Sequence, residues 1–196
     1  MKKLFLATVA ALFFSTSFAQ FSQGSFVMGG STNLAGSFTT SKSKTGGATT
    51  TNGKSSSFFI QPQAGYFVID NLAVGTGLSI GTSSYKADGS SDKSSVTSFG
   101  ITPLARYYFD KIYVQGSIGF GSSKTKNTFG GTTTETTQNT GSWSLLAGYA
   151  FFLSDAIALE PQLGYSSFSY KSKGSNTKTI NSGIAFGIGL YAYISK

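Results

Sequence analysis

The sequence predicts an all-β protein, an eight-stranded antiparallel transmembrane β-barrel with up-and-down connections. Three observations predict it. Apolar residues alternate with period two on both sides of three short acidic breaks, at Asp70, Asp110 and Asp155. Long stretches rich in Ser, Thr, Gly and Lys separate these units. The phase that is not apolar carries Gly, Ser and Gln rather than the Lys and Glu of a water-facing surface.

The N-terminus is a processing signal. Lys2 and Lys3 precede an apolar run, Leu4 to Phe14, that is too short to span a bilayer, and Ser17-Phe18-Ala19 is a small-x-small cleavage site. Residues 1–19 are therefore expected to be removed, leaving Gln20–Lys196 as one exported domain. No later stretch is long and apolar enough for a transmembrane helix.

The strands follow in chain order. Phe26, Met28, Leu34 and Phe38 mark a glycine-interrupted first strand. Phe58, Ile60, Pro62, Ala64, Tyr66 and Val68 lead into the Asp70 break, and Leu72, Val74, Leu78 and Ile80 lead out. Around Asp110 the same construction uses Phe99, Ile101, Pro103, Ala105, Tyr107 and Phe109, then Ile112, Val114, Ile118 and Phe120. Around Asp155 it uses Trp143, Leu145, Ala147, Tyr149 and Phe151, then Ile157, Leu159, Pro161, Leu163 and Tyr165. Ile180, Ile184, Phe186, Ile188, Leu190 and Ile194 mark the last strand. The intervening stretches Thr40 to Ser56, Tyr85 to Ser95, Ser122 to Thr140 and Lys171 to Lys178 read as long polar loops. Three prolines fall on the apolar phase, where each removes a ladder hydrogen bond, so a bulge or local opening is expected at each.

Alternation of short turns with long outer loops is the pattern of a barrel in the bacterial outer membrane, with both termini periplasmic. The entries Gly65-Tyr66-Phe67-Val68 and Arg106-Tyr107-Tyr108-Phe109 and the tail Gly187-Ile188-Gly189-Leu190-Tyr191-Ala192-Tyr193-Ile194 resemble small outer-membrane barrels of the OmpA and OmpX kind and the outer membrane protein β-barrel or porin family. The resemblance implies outer-membrane lipid as surroundings, a monomer, and insertion by the barrel-assembly machinery. Its one departure is the end of the chain, Ser195-Lys196, where such barrels commonly carry an aromatic residue.

A soluble barrel would have the same period with the faces exchanged. The glycines decide between the two: Gly65, Gly75, Gly77, Gly81, Gly100, Gly119, Gly148, Gly164, Gly183, Gly187 and Gly189 occupy the non-apolar phase, as a cramped eight-stranded lumen requires. Within the strands Arg106 and Glu160 both fall on that phase at similar depth. They are expected to pair in a network with Gln61, Gln63, Tyr108, Tyr113, Gln115 and Gln162, acting either as a lumen plug or as a gate for a narrow pore.

Cysteine and histidine are absent, which excludes thiol nucleophiles, the usual zinc sites and histidine-based acid–base chemistry, and no cofactor is expected. Asp88, Asp92 and Glu135 stand singly in polar stretches. The expected role is accordingly structural or surface-interacting rather than enzymatic. Ten lysines, Lys42, Lys44, Lys54, Lys86, Lys93, Lys124, Lys126, Lys171, Lys173 and Lys178, give the outer rim a basic character suited to lipopolysaccharide phosphates. Nucleic acid is not expected, because basic and aromatic residues are not interleaved on any one element.

Overall fold

A computed structural model describes residues 18–31, 35–45 and 48–195. The expected signal peptide up to residue 17, and Leu34 of the first strand, lie outside the described residues. Eleven strand segments form one antiparallel sheet: β1 (Phe26–Ser31), β2 (Ala35–Thr45), β3 (Ala48–Ile60), β4 (Pro62–Ile69), β5 (Leu72–Ala87), β6 (Lys93–Phe109), β7 (Ile112–Phe129), β8 (Thr132–Tyr149), β9 (Phe151–Phe152), β10 (Ile157–Ser172) and β11 (Thr179–Ile194). Eight of them, in the order β5-β4-β1-β11-β10-β8-β7-β6, close into a ring through the β5–β6 pairing. The β2–β3 hairpin extends the first two strands beyond the ring, with β3 pairing to the far half of β5.

The side-chain phases separate as a membrane barrel requires. Phe26, Val74, Ile80, Phe99, Ile118, Phe120, Leu145, Leu163 and Ile188 are all exposed on the outer wall, whereas Phe67, Ala73, Tyr108, Tyr113, Tyr191 and Tyr193 on the opposite phase are buried. A soluble protein would not carry so continuous an apolar exterior. In lipid it costs nothing, and ring closure satisfies the backbone groups of the paired strands.

Two of the three breaks are tight turns. Asn71 (φ 65°) and Asp110 (φ 60°) take the left-handed conformation that Asn and Asp tolerate better than other side chains. The third is different from the expectation. β8 ends at Tyr149, buried Ala150 donates its N–H to the Lys111 carbonyl at 2.8 Å, and the short β9 pairs with Ala158 and Leu159 before a wider bend over 153–156. The expected long loops are also corrected. β2–β3, β5–β6 and β7–β8 continue as paired hairpins up to short connections, those at Gly89 and Gly130-Gly131 using positive φ. Their strands need no apolar alternation, because above the lipid both faces meet water and backbone pairing alone holds them.

The prolines mark local faults in the ladder. Pro103 and Thr102 drop out of the otherwise continuous β6–β7 register, which resumes at Leu104↔Ser117. Pro62 begins β4 after the interruption at Gln61, and the pairing of the first strand with the second shifts by two residues between Gly30↔Pro62 and Ala35↔Phe59. Pro161 stays in the ladder with Ile188, while pairing to β8 starts one residue later at Gln162. Beyond Ser31↔Gly189, β2 and the far half of β11 have no pairing with each other among the described residues. Ile184 and Phe186 are 79% and 86% exposed, against 44% for Ile188, which adjoins the part of β11 paired with β1.

Candidate functional site: a polar plug at the turn end of the lumen

Arg106 on β6 and Glu160 on β10 are both buried and meet across the lumen, Nη1 to Oε2 at 2.7 Å. Each reaches the centre because it occupies the inward phase four or five residues from a turn. The pair sits in a closed circuit of hydrogen bonds. Arg106 Nη1 also donates to the Tyr108 hydroxyl at 3.0 Å, and the Tyr193 hydroxyl donates to Glu160 Oε1. With the Tyr193 proton so engaged, Tyr108 donates to Tyr193 across 2.8 Å and the circuit returns to the carboxylate. Arg106 Nε donates to Gln115 Oε1 at 2.8 Å.

Aromatic rings fill what remains. The guanidinium lies between the rings of Tyr113 and Tyr191, 4.1 and 4.5 Å from their centroids. Both tyrosines fit because a glycine lies opposite on the adjacent strand. Gly148 pairs with Tyr113, and Gly29 pairs with Tyr191 so closely that a Cβ there would stand 2.5–2.7 Å from that ring. The Tyr191 hydroxyl donates to Gln63 Oε1 at 2.9 Å and the Tyr113 hydroxyl to Gln162 Oε1 at 3.5 Å. Among the described residues, no buried side-chain nitrogen or oxygen lacks a partner.

Below this layer a single 3-10 turn (Phe18–Phe21) places Phe21 inside the ring. Its ring stacks on Tyr108 at 4.3 Å and meets Tyr193 edge-on at 5.5 Å. The segment is fastened to the turns: Asn71 N–H donates to the Phe21 carbonyl at 2.7 Å, Gln23 N–H to Asp70 Oδ1 at 2.8 Å, and the Gln20 side-chain amide to the Asp155 carbonyl. Above the layer the lumen widens into a cavity of about 330 Å³ whose walls include Gln61, Gln63, Gln115, Gln162, Ser144 and Trp143.

Of the eight candidate lumen residues, Arg106, Glu160, Tyr108, Tyr113, Gln115, Gln63 and Gln162 thus form one hydrogen-bonded or stacked cluster, and Gln61 lies on the cavity wall above. Sequence reasoning missed Phe21, Tyr191 and Tyr193. The last two were legible as the non-apolar phase of β11; Phe21 precedes the first strand and carries no periodic signal.

The candidate lysines divide into distinct groups. Glu135 holds Lys124 at 2.7 Å and Lys126 at 3.4 Å on the β7–β8 hairpin, and the Lys124 hydrogen bond and charge hold the Glu135 carboxyl below its ordinary range. Lys42 and Lys44 lie on β2, Lys171 at the end of β10, and Lys173 and Lys178 in the connection to β11. Lys54, Lys86 and Lys93 lie opposite one another on β3, β5 and β6.

A closed ring of antiparallel strands, an apolar exterior and an interior lined by polar and aromatic side chains define a transmembrane β-barrel of the bacterial outer-membrane type. The family model for the outer membrane protein beta-barrel domain matches residues 55–196, and the chain belongs to that family. Among curated proteins none matches the sequence. Among solved structures it is similar to Neisserial surface protein A (16% identity, 87% of this chain and 97% of that one, TM-score 0.42). It is also similar to OprG from Pseudomonas aeruginosa (15%, 92% and 100%, TM-score 0.45) and to the translocator domain of the autotransporter NalP from Neisseria meningitidis (17%, 98% and 67%, TM-score 0.45).

Proposed function

We propose that the protein is a structural outer-membrane barrel whose lumen is sealed and whose work is done at its outer surface, through contact of the lysine-bearing hairpins with lipopolysaccharide. In this reading the short turns and both chain termini face the periplasm and the long hairpins face outward. The single observation that carries it is the plug: an ion pair with all its buried polar atoms satisfied, stacked rings on both sides of the guanidinium, and Phe21 beneath. Such a layer sets a buried ion pair and packed aromatic rings across the path an ion would take. The hairpins above it are long, rigidly paired and rich in lysine.

A narrow pore is the second reading, favoured by the cavity of about 330 Å³ above the plug, which would serve as an outer vestibule. Single-channel recording in planar bilayers distinguishes the two. The sealed barrel gives no current with the parent protein, and none when only Phe21→Ala is introduced, because the Arg106 layer still closes the lumen. Steady unitary current through the parent protein would refute it.

A further inference from the structure

We infer that the outer wall between β2 and β6 carries a site for a bisphosphorylated lipid headgroup, built on Lys54, Lys86 and Lys93. The inference rests on the outward orientation of the hairpins proposed above and assigns the surface contact to one place.

Strand register forces the three lysines together. Lys54 pairs with Lys86 and Lys86 with Lys93, so residues directly opposite on three adjacent strands all carry positive charge. With neighbouring strands about 4.8 Å apart, the row spans about 10 Å. Like charges directly opposite destabilise a sheet, and no ion pair to a carboxylate relieves these three among the described residues, unlike Lys124 and Lys126. Asp88 lies on the wall of the cleft beside Lys54 and Lys86 without bridging to either. Anions lodged between the ammonium groups would remove the repulsion, and three lysines in a row leave two such intervals.

The phase of the row identifies the anion as lipid-borne. Lys54 is in phase with Phe58, Lys86 with Ile80 and Lys93 with Phe99, all exposed on the outer wall. The lysines therefore project sideways above the apolar belt and not into the lumen. Beneath Lys54 and Lys86 lies a hollow of about 340 Å³ bounded by Phe38, Thr40, Ser56 and Ser84 of the same phase. Thr40 pairs with Lys54, and the Ser56 and Ser84 hydroxyls meet at 2.9 Å. Phe38, directly opposite Ser56 in the same row, is 90% exposed. Cations in one row, with hydroxyls and a free phenyl side by side in the next row down, match the phosphates of an outer-leaflet glycolipid and the sugar hydroxyls and acyl chain beside them.

The test uses the mature chain in nanodiscs of phosphatidylcholine, with diphosphoryl lipid A as probe and its dephosphorylated form as control. Folding is checked by heat-modifiable migration in gels. The expected result is that Lys54→Gln/Lys86→Gln/Lys93→Gln weakens binding by about tenfold or more. Lys171→Gln/Lys173→Gln/Lys178→Gln changes it by less than about twofold, and Phe38→Ser weakens lipid binding while leaving binding of inorganic phosphate unchanged. Equal loss in both lysine variants overturns the site and leaves a diffuse basic rim. Competition by inorganic phosphate at the same concentration as the lipid overturns the lipid assignment. No binding by the parent protein overturns the site and the surface reading together.

Discussion

Arg106 and Glu160, 54 residues apart in the chain, are held in contact by two tyrosine hydroxyls that complete a circuit from guanidinium to carboxylate. An isolated charge in that position would be left without compensation, so the two residues stand or fall together. Glu160→Ala is expected to destabilise the barrel by about 3–5 kcal/mol, because it strands the guanidinium. Arg106→Met/Glu160→Leu, which removes both charges and keeps the volume, is expected to lose less than the single change. Urea unfolding in phospholipid vesicles, followed by the fluorescence of the lone tryptophan, Trp143, measures both. A double variant as unstable as Glu160→Ala would show that packing geometry, not the uncompensated charge, dominates.

How much of this was legible before the structure follows from the physics of each part. The Asp70 and Asp110 turns were legible because lipid on one side and a lumen on the other impose strict alternation up to the residue that bends. The depth of Arg106 and Glu160 was legible for the same reason: phase and distance from a turn place an inward side chain. The hairpins above the membrane were not, since Thr132 to Thr140, Ser41 to Thr45 and Ala48 to Ser56 form strands by backbone pairing under no burial constraint, and Ser/Thr/Gly composition is shared with loops. The break at Asp155 was legible but its width was not, because Ala150 interrupts the strand before it without any turn-forming residue. Phe21 was missed because its partners Tyr108 and Tyr193 are near in space only.

The glycines of the inward phase are not equivalent. Gly148 lies opposite Tyr113, whose ring occupies the volume a Cβ would need, whereas a Cβ on Gly183 would meet nothing within 4 Å. Gly148→Ala must push Tyr113 off both the strand and the Arg106 guanidinium, at a cost of about 1–3 kcal/mol. Gly183→Ala is expected to be neutral within about 0.5 kcal/mol, the usual range away from packed features. The same vesicle unfolding assay compares them, and equal effects would contradict the packing described.

Glu135 reports on the β7–β8 hairpin through its titration. The Lys124 hydrogen bond and charge, with a smaller contribution from Lys126, favour the carboxylate and lower its folded-state pKa below the ordinary glutamate value of about 4.3. A depressed acid contributes stability that is present above the unfolded value and is lost as pH falls through the folded one. The ion pairs should therefore persist at pH 5 and break only as pH falls below the ordinary glutamate value. Carbon-13 NMR of the Glu135 carboxyl gives the midpoint directly. Lys124→Gln should raise it more than Lys126→Gln does, because Lys124 supplies the larger share at 2.7 Å against 3.4 Å.

The far half of β11 offers a separate test, since pairing with β10 engages only one edge of a strand. In antiparallel pairing, residues alternate between the two neighbours, so every second N–H of residues 179–188 points towards the flank where β2 makes no pairing among the described residues. Below Gly189 the same set of amides is bonded to β1. Hydrogen exchange in nanodiscs is therefore expected to be fast at alternate amides of the far half and slow throughout the near half, from Gly189 to Ile194. Uniform protection along the whole strand would mean that the flank is closed by a strand in the membrane, and the exposure of Ile184 and Phe186 would then fall to that of Ile188.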